Sequence, residues 1–120
     1  FTGDTFGLSY RELDTEKGAF IFPTTTPIQF DPDALIQSVQ AMMSKAPSWM
    51  YLTHFGRIGQ VQYLGERLIK SIHSLVSMAE DAAQEEKRGK VLRNAIREWL
   101  RDELKAHGWI GDAQQWKILL

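Results

Sequence analysis

The sequence predicts an α/β fold with few strands and a helical C-terminal region, on three observations. Short apolar runs closed by Gly or Pro stand at "GAFIFP" and "WMYLTHFG". A punctuated helical segment, "FDPDALIQSVQAMMSKAP", lies between them. Apolar residues at three- and four-residue intervals then dominate the second half of the chain, the mark of amphipathic helices.

Each element follows from its local chemistry. "FTGDTFG" opens with an apolar residue and then Gly-Asp, which is how a strand ends at a loop. The chain begins with Phe1, and this opening reads like the middle of something longer, so a fragment is expected. "LSYRELDTEKG" is polar and turn-rich. Ala19 to Phe22 is apolar and is closed by Pro23, a short strand. Asp31 fits an N-cap and Pro32 the first helical position, where a missing N–H costs nothing. Leu35, Val39, Met42 and Met43 follow at helical spacing, and Pro47 ends the run. The near-continuous apolar character of "WMYLTHFG" predicts a strand buried on both faces. A helix is expected from Gln60 to about Ala83 and another from Val91 to Leu104, closed by Gly108, with the charged "EDAAQEEKRGK" between them. The last segment, "WIGDAQQWKILL", is apolar at its end. The strands are too few for a sheet of the usual four to six or so, which points to missing chain or to pairing with another copy.

Composition bounds the function. The chain has 120 residues, 43% apolar and 24% charged, with a formal charge of -1. It is sized for one small domain, and its overall charge gives no pull toward nucleic acid or an anionic membrane. Without cysteine there is no disulfide or thiolate chemistry, so any metal must be held by His and carboxylates. No stretch approaches the roughly 18 apolar residues of a membrane span. A cytoplasmic setting is expected.

Asp4 and His54 share a setting. Each follows a short apolar run, and each lies near a glycine, Gly3 or Gly56. In open α/β sheets, ligands bind beyond the carboxyl ends of the strands, so the two could converge across fifty positions. A carboxylate and a neutral imidazole suit hard or borderline cations. Both residues also have ordinary readings, Asp4 as a turn former and His54 as a hydrogen-bonded structural residue. Two ligands alone do not make a zinc site.

"TGDT" at Thr2–Thr5, "FDPDA" at Phe30–Ala34 and "YLTHFG" at Tyr51–Gly56, in this order and with a helix between the last two, resemble the second half of a metallo-β-lactamase-fold hydrolase. The resemblance covers residues 1–75, leaving 76–120 as a helical C-terminal extension. It implies the C-terminal half of an αβ/βα sandwich. Asp4 resembles the carboxylate that bridges two metals, and so carries the catalytic role. His54 resembles the terminal histidine ligand of the second metal. The family's His-x-His-x-Asp-His motif is not in this sequence, so the chain is expected to be incomplete by itself. In an intact relative, a water activated between two divalent metals, zinc first and iron or manganese next, attacks an ester, thioester, lactone or amide-type bond. The metals are expected to be absent or partial in this fragment. The substrate is then a small molecule, with no nucleic acid and no membrane as partner, and a homodimer is expected because orphaned strand edges pair.

The remaining candidates have simpler explanations. Met42, Met43 and Met50 read as core. Trp99, Trp109 and Trp116 read as helix packing or an interface. Thr24 to Pro27 reads as a strand-end turn, His73 as a surface residue, and His107 as a helix-end residue suited to the dipole. The rival to the hydrolase reading is a non-enzymatic α/β module that self-associates or binds a partner.

Overall fold

A computed structural model describes residues 6–7, 9–23, 31–52, 56–112 and 114–115. Among these residues the architecture is mixed α/β, with three helices and a two-stranded antiparallel sheet. A 3-10 turn, Arg11–Leu13, precedes helix α1, Pro32–Ser44. Strands β1, Met50–Leu52, and β2, Gly56–Ile58, follow, and then α2, Val61–Ala82, and α3, Arg88–Ala106. The predicted strand end at residues 1–5, the Thr24–Pro27 turn and residues 116–120 lie outside the described residues.

Helix α1 starts where its punctuation places it. The Asp31 carboxylate accepts from the Ala34 backbone N–H at 3.1 Å, and Pro32 takes the first position. The helix stops at Ser44, and Ala46 then turns left-handed (φ 48°) ahead of Pro47. Helix α3 starts three residues earlier than its apolar periodicity, because its first turn is wholly polar and offers no periodic signal.

Strand β1 corrects one expectation. Met50 and Leu52 are buried, but Tyr51 between them is 44% exposed. The strand is half of an antiparallel hairpin, with Met50 opposite Ile58, Tyr51 opposite Arg57 and Leu52 opposite Gly56. Such a pair needs to bury only one face. Residues 19–22 belong to neither strand of the described sheet. They pass between two apolar clusters instead, Ile21 entering one and Phe20 the other.

The larger cluster holds Phe6, Ile21, Val39, Met50, Leu52, Ile58 and the inner face of α2, with Met42 and Met43 packed against it. The methionines are therefore core, as their helical spacing predicts. Gly65 is where α1 and α2 approach closely, since a Cβ there would meet Met43 Sδ at 2.5 Å. The smaller cluster is Leu13, Phe20 and Leu104, flanked by Tyr10, Phe22, Leu100 and Trp109. Residues 75 and 76 lie inside the continuous helix α2.

The early loop also caps the end of α3. Thr15 Oγ1 donates to the His107 carbonyl at 2.7 Å, and Lys17 Nζ donates to the Ala106 carbonyl at 2.8 Å. His107 Nε2 donates to the Gly18 carbonyl at 2.9 Å, and Trp109 Nε1 to the Glu12 carbonyl at 2.9 Å. The last carbonyls of a helix have no partner within it, and here a loop some ninety positions earlier in the chain supplies two of the donors. No helix among the described residues is long and apolar enough to cross a membrane.

Candidate functional site

Asp4 and His54 lie outside the described residues, and the structure describes the chain on either side of each. Phe6, two positions after Asp4, is fully buried. Gly7 follows with φ +82°, and a Cβ there would sit 2.6 Å from the Phe22 carbonyl oxygen and 3.1 Å from Leu68 Cδ1. Only glycine fits both the left-handed backbone and the close approach. Leu52, two positions before His54, is buried at the end of β1. Gly56, two positions after it, opens β2 with φ +85°, and a Cβ there would have nothing within 4 Å. The described residues nearest each candidate on its buried side, Phe6 and Leu52, belong to one core.

The other two histidines are described. His73 is exposed on α2. His107 caps the end of α3 and is 2% exposed, with its ring edge-on to Phe20 at 5.4 Å between centroids. Because Gly18 O only accepts, Nε2 carries the proton in that hydrogen bond. Nδ1 has no partner among the described residues. Its burial comes from the 10–22 loop folding over the helix end, which no local pattern announces.

A cavity of about 270 Å³ lies between the early loop and the hairpin, lined by Ser9, Asp14, Trp49, Arg57 and Gln60 among others. The Arg57 guanidinium lies 4.2 Å from the centre of the Trp49 ring, a cation–π contact. Sequence reasoning missed this pair, whose only signal was an Arg three positions beyond His54. A second, more apolar cleft of about 520 Å³ is lined by Tyr10, Leu13, Phe22, Leu100 and Trp109. Trp109 packs on its own chain and Trp99 is half-buried. Trp116 lies outside the described residues.

Among the described residues, no group of three or more His, Cys, Asp or Glu side chains is arranged to hold a metal ion. In comparisons with known proteins, no family model, no curated protein and no solved structure matched the chain.

Proposed function

We propose that this chain is the C-terminal half of a binuclear metal-dependent hydrolase of the metallo-β-lactamase type, with Asp4 and His54 as two of its metal ligands. The observation that carries the reading is the ordered series "TGDT", "FDPDA", "YLTHFG". Its spacing is supported by the capped helix that starts within "FDPDA" and by the strand that ends at Leu52. The shared core of Phe6 and Leu52 supports convergence of the two candidate segments.

The donor set fits in kind and falls short in number. A carboxylate and an imidazole suit zinc, but a catalytic zinc takes about three protein ligands. The remaining ligands would come from outside these 120 residues. Metals in such a site supply a bound water acidic enough to act as hydroxide near neutral pH. The part this chain plays is to hold and orient. Phe6 and Leu52 fix the backbone beside each ligand, and Gly7 seats the loop after Asp4 against Phe22 and Leu68. The bond attacked is of ester, thioester, lactone or amide type in a small molecule.

The test is substitution in the longest natural form of the protein. Asp4→Ala and His54→Ala should each remove bound metal and hydrolysis while leaving the circular dichroism spectrum intact. Metal content unchanged in both variants would end the assignment.

One observation favours a second reading, a self-associating or partner-binding module. Trp49 is 51% exposed and Tyr51 44% exposed on the outer face of the hairpin, and exposed aromatics mark interfaces. Under that reading, Trp49→Ala would shift the sedimentation coefficient toward the monomer, and loss of Asp4 or His54 would change nothing.

A further inference from the structure

The net charge of -1 conceals a strong segregation. Seven of the fourteen Lys and Arg fall between positions 87 and 105, against three of the fifteen acidic residues. That stretch is helix α3 with its N-cap residue. It carries +4 and the rest of the chain −5. Arg93, Arg97, Arg101 and Lys105 recur every fourth residue and are all exposed, as is Lys90. A step of four residues turns only about 40° around a helix and rises about 6 Å, so the series is a stripe about 18 Å long. Leu92, Ala95 and Trp99 on the other side are half-buried, and Ile96, Leu100 and Leu104, half-buried or buried, border the stripe along its Arg93–Arg97 edge. Glu98 and Asp102, both exposed, bound one flank.

We propose that this stripe is a docking surface for the phosphodiester backbone of a nucleic acid. The proposal stands independently of the hydrolase reading. Like charges four apart destabilise a helix, and Arg93 and Arg97 have no acidic residue three or four positions away on either side to offset that. Stability of the helix does not account for that arrangement. Three of the four residues in the series are arginine, whose planar fork matches phosphate oxygens two at a time. Arg101 is engaged within the chain, so the four phosphate contacts are assigned to Lys90, Arg93, Arg97 and Lys105, all exposed. A single phosphate strand can follow a narrow line of cations. A flat anionic membrane would also meet the flanking Glu98 and Asp102, and the apolar face that could enter a bilayer is occupied by packing on the protein body. The expectation of no nucleic-acid partner came from the whole-chain charge, which averages over two opposed regions.

The experiment is fluorescence anisotropy of a labelled duplex of about 20 base pairs, titrated with the 120-residue chain between roughly 50 and 200 mM salt. Binding should weaken with salt along a log–log slope of about −3 to −4, the value for about four phosphate contacts. The Arg93→Gln/Arg97→Gln double variant should flatten the slope by about 2 and weaken binding at the lowest salt at least tenfold or so. Lys45→Gln/Lys70→Gln removes the same charge from exposed positions elsewhere, and it should leave the slope unchanged. Circular dichroism verifies that both variants fold. No salt-dependent binding at the lowest salt would overturn the proposal, as would equal losses in the two double variants. Tighter binding to phosphatidylserine vesicles than to the duplex would also overturn it, by assigning the stripe to a lipid surface.

Discussion

Replacing Gly7 by Ala tests how the loop after Asp4 is seated. Gly7 has φ +82°, and its missing Cβ would lie 2.6 Å from the Phe22 carbonyl oxygen, a backbone atom that no rotamer change can move. Two costs add. A non-glycine residue in left-handed backbone costs roughly 1–2 kcal/mol. Forcing an extra carbon into a packed site costs about 1–3 kcal/mol more. Gly56 supplies the matched control, because it has φ +85° with nothing within 4 Å of a Cβ. Gly56→Ala pays only the first cost. Equilibrium urea unfolding of the two variants measures the difference. With an m-value of about 1–3 kcal/mol per M, the Gly7→Ala midpoint should fall below that of Gly56→Ala by on the order of 1 M. Equal midpoints would refute the reasoning, because they would mean that the Gly7 loop can move off Phe22 at no cost. In the longest form of the protein, Gly7→Ala should also lower metal affinity if Asp4 is a ligand, since the loop that presents it is displaced.

Four further substitutions probe the rest of the frame. Leu104→Ala removes the fully buried contact between α3 and the early loop and should cost about 2–5 kcal/mol by thermal or chemical unfolding. His107→Ala loses the hydrogen bond to Gly18 and the edge contact with Phe20 and should cost about 2–4 kcal/mol, whereas His73→Ala on the exposed face of α2 should stay within about 0.5 kcal/mol. Asp31→Ala deletes the cap of α1 and should cost about 1 kcal/mol, read as an equal shift in unfolding free energy with little change in m-value.

What the sequence made legible was local. The Asp31–Pro32 start of α1 and the span of α2 could be read because caps and apolar periodicity are written in adjacent residues. Strand β2 could not be read. "GRI" is three residues with a glycine and an exposed arginine, too short for any alternation to register. The exposed face of β1 was missed because Tyr51 is apolar enough to extend the run that it interrupts in space. The burial of His107 and the capping of α3 by Thr15 and Lys17 depend on a loop some ninety positions away, and no window of sequence contains both partners. The candidate site was legible as residue types and order. What the fold adds is that Phe6 and Leu52, beside the two ligand candidates, share one core. The basic stripe of α3 was present in the sequence but was lost in the whole-chain charge.

The most direct test of the central claim is the metal content per chain, by plasma mass spectrometry, of the longest natural form of the protein with this 120-residue chain run beside it. Close to two divalent metals in the long form and almost none in the short one is the expected result, with the Asp4→Ala and His54→Ala variants of the long form depleted. A long form that remains empty after zinc or manganese is supplied would contradict the account and leave partner binding as the function to pursue.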